Sequence, residues 1–438
     1  MTKIIYIIAD DLTGANDTGV QFYKQGYEVK VLIEDLTGEN FLAENRVKKV
    51  GVIDTETRES KISDSTVKIN RLFKNLKFEK EDIIYKKIDS TLRGNIGLEI
   101  ELMMELTDKE LCILTPSFPQ NKRFTIGGHL IVNDEPLGSS EYSRRYIDPG
   151  EASYIPSIIN LQTELPVGRV ELKDVIKGKE EILKKVKILS NQGKKIIVLD
   201  SIKEQHLTDI LAAAENLDKN ILYSGSAGFA NIIARRYSLT NKKFDFSLNM
   251  SPFLIINGSR NSISNQQIDY LSRNKELFIY EVDVEKILSN KKASSNFYNE
   301  IIHKYNNQDY IVIRPDPQYI DEYIINKLIQ EKNISFRYLG EEIRDCLGRL
   351  AKNIIREYSI KNLFVTGGDT LLGLCKFMEI NKMKIIGEIA EGIPMVEPIS
   401  AEKENDLKII SKAGGFGEEA TIDNVINKML RRMKLEDE

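Results

Sequence analysis

The sequence predicts an α/β fold in two domains, each built on a mainly parallel sheet. Three observations predict it. Short runs rich in Ile and Val alternate with longer segments of helical period, the chain has 438 residues, and the alternation restarts after a polar stretch near its middle. Continuous apolar runs fit strands buried on both faces by crossover helices. A chain this long exceeds the size at which one hydrophobic core usually stops growing. The expected domains are residues 1–245 and 246–438, with a cleft between them.

Taken in order, the N-terminal strands are expected at KIIYIIAD (3–10), YEVKVLIE (27–34), VKKVGVID (47–54), DIIYKKID (82–89), LCILTPSF (111–118) and KKIIVLDS (194–201). The first helix is expected to begin near Gly14, capped by Asp11 or Thr13, and another near Thr91, capped by Ser90. From about Pro119 to Arg169 the helical period fails and Pro, Gly, Asn, Asp and Ser accumulate, which predicts a functional loop or lid, or else a plain excursion with a hairpin. A helix-like run ends near Tyr237, a polar linker follows, and a fresh strand opens at Phe253. Strands then recur at FLIINGS, LFIYEVD, YIVIRPD, NLFVTGG and LKIISKAGG, separated by amphipathic segments such as 340–359.

Composition removes several classes of function. Sixty-two Lys and Arg against 66 Asp and Glu give a net charge of -4, which argues against a nucleic-acid or anionic-membrane partner. Cys112, Cys346 and Cys375 lie too far apart for a disulfide framework or a zinc site, which fits a reducing compartment. The apolar run after Lys3 is short for a signal-peptide core or a membrane span, so a cytoplasmic location is expected.

In open α/β sheets ligands bind beyond the carboxyl ends of the strands, so the residues after each apolar run carry the functional signal. Asp10, Asp11, Thr13, Gly14, Asn16 and Asp17 follow the first strand; Asp89, Ser90, Thr91, Arg93, Gly94 and Asn95 follow the fourth. Capping accounts for one polar residue per helix start and leaves the other carboxylates and Arg93 unexplained. Paired aspartates tolerate each other when they bind hydroxyls or a cation, and a guanidinium can grip a carboxylate bidentately, a combination suited to a small polyhydroxy acid. Lys86 and Lys87 are consecutive on a strand and must face opposite ways, so at most one reaches this pocket. His129, in the irregular stretch, is a further candidate, with a structural role as its alternative.

The second half offers glycine clusters directly after strands, at 256–262 (INGSRNS), 365–373 (VTGGDTLLG) and 412–419 (KAGGFGEE). Such loops let backbone N–H groups approach phosphate oxygens, and three in one domain point to a nucleotide. None has the Gly-Lys-Ser/Thr of a Walker loop, and neither domain opens on Gly-x-Gly-x-x-Gly. GSAGFA (225–230) is a fourth cluster that close helix packing explains equally well.

In order, ADDLTGANDTG, KKIDSTLRGN, PSFPQNKRFTIGGH, NGSRNSIS, VTGGDT and KAGGFG resemble the four-carbon acid sugar kinase family, nearly end to end. The resemblance implies an N-terminal domain for the acid, a C-terminal domain for ATP, and transfer to the terminal hydroxyl of substrates such as D-threonate, D-erythronate or 3-oxo-tetronate. It further implies that Asp11 and Asp10 bind or deprotonate the acceptor hydroxyl. Lys87, Asp89, Ser90, Arg93 and His129 are assigned to the acid; Ser259, Gly367, Gly368, Asp369, Thr370, Gly414 and Gly415 are assigned to the nucleotide. Two departures stand out: Asp369 replaces the Glu of the family's Gly-Gly-Glu-Thr loop, and Ala413 and Gly415 replace the Ser and Asn of its usual Lys-Ser-Gly-Asn-Phe-Gly.

The expected mechanism has Asp11 as general base or hydroxyl anchor, Mg2+ bridging the β- and γ-phosphates, the 366–370 backbone as phosphate cradle, and domain closure to exclude water. The partners are then a sugar acid and ATP, and a homodimer is left open. Two other classes remain as alternatives: a binding or sensor module that holds an acid without turning it over, and a nicotinamide-dependent hydroxy-acid dehydrogenase, which the missing dinucleotide turn disfavours.

Overall fold

The computed structural model describes residues 4–34, 49–76, 78–79, 81–140, 152–238, 252–290, 292–399 and 406–436. The chain divides into two compact units, Met1–Lys243 and Phe244–Glu438. The boundary expected at 245/246 falls in 239–251, outside the described residues.

The first unit opens with β1 (Ile5–Ala9), α1 (Leu12–Lys24), β2 (Glu28–Ile33), β3 (Lys49–Asp54), α2 (Ile62–Asn75), β4 (Ile83–Lys87), α3 (Ile96–Leu106) and β5 (Leu111–Thr115). A small antiparallel sheet follows, made of β6 (Arg123–Ile126), β7 (His129–Val132) and β8 (Glu135–Pro136). Then come α4 (Ile155–Asn160), β9 (Val167–Val170), α5 (Leu172–Val175), α6 (Lys179–Asn191), β10 (Ile196–Leu199), α7 (Glu204–Ala214), β11 (Ile221–Gly225) and α8 (Ala227–Arg236). The main strands lie in the order β2-β3-β1-β4-β11-β5-β10-β9, all parallel. β1 is buried at every position, and Ile7 and Ile8 have no exposed surface. Truncating either to Ala removes core contacts of a kind that cost about 2–5 kcal/mol.

The chain runs from β1 out through β2 to β3, then crosses to β4 on the other side of β1. That reversal puts the carboxyl ends of β3, β1 and β4 side by side at a switch point, where an α/β sheet opens a crevice.

The second unit begins with β12 (Phe253–Asn257), α9 (Ser262–Asn274), β13 (Leu277–Val282), α10 (Val284–Ser289), α11 (Ala293–Lys304), β14 (Tyr310–Pro315), α12 (Glu322–Lys332) and the 22-residue α13 (Phe336–Glu357). It ends with β15 (Asn362–Thr366), α14 (Gly368–Met378), β16 (Lys382–Ala390), β17 (Ile393–Pro398), β18 (Lys408–Lys412) and α15 (Thr421–Glu436). Its strand order is β13-β14-β12-β15-β18-β17-β16, parallel through β18 and antiparallel for β16 and β17. The switch-point logic repeats: β12 leads out through β13 to β14, and β15 then pairs on its other edge.

The structure corrects one local expectation and narrows two that the sequence leaves open. No helix starts at Thr91: residues 90–95 form a turn, and α3 begins at Ile96 after Asn95, so Ser90 caps nothing. The described residues of 119–169 hold a three-stranded antiparallel sheet, α4 and most of β9, which agrees with the hairpin alternative. Gly225 and Gly228 are packing residues. A Cβ at Gly225 would collide with the Thr115 carbonyl, and one at Gly228 with the Ser117 carbonyl. Among the described residues no helix is long and apolar enough to cross a membrane, and all three cysteines are free and buried.

Candidate functional site

Asp11 is the N-cap of α1, its Oδ1 accepting the Gly14 N–H at 3.0 Å. Asp10 lies almost wholly inside, at 2% exposure. Both oxygens of Asp10 are taken by Arg58, through Nε at 3.1 Å and Nη2 at 2.8 Å, and the same Nη2 reaches Asp11 Oδ1 at 2.5 Å. Like charges on adjacent residues are thus held together by one guanidinium, which accounts for the pair ending the first strand. Burial works against ionisation of Asp10, but Arg58, Lys86 and Lys87 outweigh it and hold the carboxyl below its ordinary range.

Asp89 forms a second unit of the same kind. Burial again opposes its charge, and Arg93 then Arg58 pull it well below the ordinary 3.8. Arg93 donates from Nε at 2.6 Å and from Nη2 at 3.0 Å, and the Thr91 hydroxyl adds a third bond. Arg58 and Asp89 approach to 4.0 Å, which joins the two units into one cluster. Neither guanidinium has a hydrogen-bond partner on Nη1 among the described residues, nor does Asp11 on Oδ2.

Because the folded pKa of Asp89 is depressed, its ion pair adds stability above the unfolded value near 3.8 and loses it as pH falls through the folded value. An Asp89→Asn variant is therefore expected to denature at lower urea than wild type at about pH 6, with the gap narrowing below 3.8. A gap that is independent of pH would contradict this assignment.

The loop after β3, with Arg58 at its centre, is missing from the expected site. Thr57 and Arg58 donate their N–H groups to the Asp10 carbonyl at 3.0 and 3.2 Å. Asn95 Nδ2 reaches the Thr57 and Ser60 carbonyls and the Ser65 hydroxyl. Glu56, at φ 45°, places Oε1 on the Leu12 N–H at 3.2 Å, a strained backbone at the mouth of α1. Asp54 is fully enclosed beside it, and burial, with Glu56 and Asp11 adding negative charge, pushes its carboxyl well up. The signal was available, since DTETRES (54–60) directly follows an apolar run, as the Asp10 and Asp89 groups do.

The two lysines separate as the pleat requires. Lys86 points away to an ion pair with Glu99 of α3, both fully buried. Lys87 points into the cluster: a Cβ on Gly14 would lie under 3.0 Å from both the Lys87 Nζ and Asp11 Oδ1, so that space belongs to the two functional groups. Gly94, at φ +98°, similarly leaves room for Asp10 Oδ2. Ser90 makes no hydrogen bond with the cluster. His129 is exposed on β7 with its ring 5.0 Å from that of Tyr154, and no hydrogen bond links it to the aspartates.

In the second unit, the loops after β12, β15 and β18 converge, as their adjacency in the sheet dictates. A side chain at Gly258 would collide with the Thr370 hydroxyl, and one at Gly414 with the Ser259 hydroxyl. Gly367, at φ +100°, lies against Thr370 and Ser259. A Cβ at Gly415 would come to 2.8 Å from Asn261 Nδ2. Asp369 is exposed on the first turn of α14.

Lys412 organises the last loop from beneath, donating to the carbonyls of Ala413, Gly414 and Phe416 at 2.9, 3.0 and 3.0 Å. Burial pushes its ammonium down to about 7, while the three carbonyls favour the charged form. Ser264 and Gln267 of α9 hold the same loop through the carbonyls of Gly414, Phe416 and Glu418.

A cluster of acids and guanidiniums lies at the switch point of the first unit and a glycine-lined cradle at that of the second, each where an α/β sheet opens a crevice. Residues 5–233 match the model of a sugar-binding N-terminal domain, and 254–422 that of a nucleotide-binding C-terminal domain. The chain is 29% identical over 419 residues to D-threonate kinase of Salmonella typhimurium, covering 95% of this chain and 96% of that one. It is 23% identical to D-erythronate kinase of Heliobacterium modesticaldum, with 88% of each covered. To 3-oxo-tetronate kinase of Haemophilus influenzae it is 24% identical, with 94% and 97% covered. A solved Haemophilus influenzae protein shares the fold, with a TM-score of 0.70 at 21% identity and coverage of 97% and 100%. The chain belongs to the four-carbon acid sugar kinase family.

Proposed function

We propose that the protein transfers the γ-phosphoryl group of ATP to the terminal (4-) hydroxyl of a four-carbon sugar acid, with D-threonate the first substrate to test and D-erythronate and 3-oxo-tetronate the next. The single observation that carries this reading is the arrangement around Asp11. Among the described residues its Oδ2 is the carboxylate oxygen of the cluster without a hydrogen-bond partner, and the Nη1 groups of Arg58 and Arg93 have none either. An acid with hydroxyls along a short carbon chain matches that set: its carboxylate meets the guanidinium donors and a hydroxyl meets Asp11.

In this reading Asp11 Oδ2 accepts the hydroxyl proton as the new P–O bond forms. Lys87, turned toward Asp11, offsets charge on the incoming phosphoryl group. Backbone N–H groups of the 367–370 loop, with Ser259 and Gly414, hold the nucleotide phosphates. Among the described residues no group of three or more His, Cys, Asp or Glu forms a metal cage. Asp369 is the carboxylate that the cradle offers to Mg2+ carried by the nucleotide, and the ion would neutralise charge on its phosphates.

The test is an ADP-release assay with the stereoisomers of threonate and erythronate and their 3-oxo forms. Acid-dependent ADP release from at least one is expected. An acid that raises the melting temperature without any ADP release would instead mark a binding module.

A further inference from the structure

Helix α13 is longer than the sheet it covers. Leu347 sits beside Gly258, where a Cβ would approach its Cδ1 to 3.1 Å, and Gly258 is the first residue after β12. The eleven residues from Leu347 back to Phe336 extend about 16 Å farther at 1.5 Å per residue, past the carboxyl edge of the sheet. Successive residues turn by about 100°, so Phe336, Gly340 and Leu347 share one stripe, the stripe that Ala351 and Ile354 continue into the core. Over the sheet this stripe is buried; beyond it, Phe336 is 45% exposed and Gly340 is open.

Gly340 is unusual for its place. A glycine inside a helix weakens it, and here none of the described residues lies within 4 Å of where its Cβ would stand, so packing does not require it. Next to it, Arg260 of the cradle loop lays its guanidinium 4.1 Å over the ring of Phe336. The loop that carries Ser259 therefore climbs the same helix face, meeting it at Leu347 and again at Phe336.

We propose that this overhanging face is the seat of the nucleoside half of the nucleotide, its base against Phe336 and Arg260 and its sugar against the bare backbone at Gly340. The assignment rests on reading the three-loop cradle as the phosphate site. An aromatic ring and a guanidinium both offer planar faces to a base, and a missing Cβ admits a ligand close to the helix.

The test is calorimetric titration of wild type, Gly340→Leu and Phe336→Ala with ATP and, separately, with inorganic tripolyphosphate. Gly340→Leu is expected to fold at least as stably as wild type, because Leu is the better helix former. It is expected to weaken ATP about tenfold or more while tripolyphosphate binds as before, and Phe336→Ala is expected to do the same through loss of a stacking contact worth roughly tenfold. Unchanged ATP affinity in Gly340→Leu, or equal weakening of ATP and tripolyphosphate, overturns the slot and leaves the cradle standing. A wild-type protein that binds neither ligand overturns the cradle and the slot together.

Discussion

Replacing Arg58 with Ala is expected to destabilise the protein by about 3–5 kcal/mol, the usual consequence of stranding a buried charge. Asp10 is 2% exposed and commits both oxygens to Arg58, so the variant leaves that carboxylate with only the longer-range help of Lys86 and Lys87. The loop itself should hold, because Thr57 and Arg58 bind the Asp10 carbonyl through their backbone and Asn95 ties the loop from the other side. Stability and function can be separated with a second change. Adding Asp10→Asn removes the stranded charge and should recover much of the lost stability, yet Michaelis constants for acid substrates should stay high without the Arg58 Nη1 donor. Urea denaturation of the single and double variants checks the first claim, and acid titrations of turnover check the second. A single variant within about 1 kcal/mol of wild type would show that Asp10 is not held by this pair.

Arg58 also marks the limit of what the sequence discloses. Asp10, Asp11, Asp89 and Arg93 were legible because they follow apolar runs, and the two-domain α/β architecture was legible because those runs have the length of buried strands. DTETRES obeys the same rule, but its acids and arginine read equally well as a solvated turn before α2. Only the parallel pairing of β3 with β1, which sets Asp54 opposite Ala9, brings Arg58 onto Asp10. Strand β11 (ILYSG) was missed because its apolar run is short and merges into GSAGFA, although it sits at the centre of the sheet between β4 and β5. Strands β16 and β17 were missed because β16 alternates buried with more accessible residues and lacks a continuous apolar run. The roles of Lys86 and Lys87 were half legible: the pleat requires opposite faces, but which face holds Glu99 depends on where α3 packs.

Asp11→Asn is expected to lower kcat by about 10²–10⁴, the range typical of a positioned general base, with the Michaelis constant for ATP little changed. The substitution is nearly silent for the fold, since Asn caps a helix about as well as Asp and keeps an oxygen for the Gly14 N–H. It removes the one carboxylate oxygen of the cluster that no described residue occupies, together with the negative charge that draws the hydroxyl proton. Asp10→Asn is the control that distinguishes the twins. Its oxygens already belong to Arg58, so its loss should appear first in stability and in acid binding, and only secondarily in turnover. Single-turnover measurements with saturating acid and ATP separate chemistry from binding for both variants. If Asp10→Asn were the one to abolish phosphoryl transfer while Asp11→Asn kept full turnover, the base would be the enclosed carboxylate. Arg58 would then have to withdraw from it during each catalytic cycle.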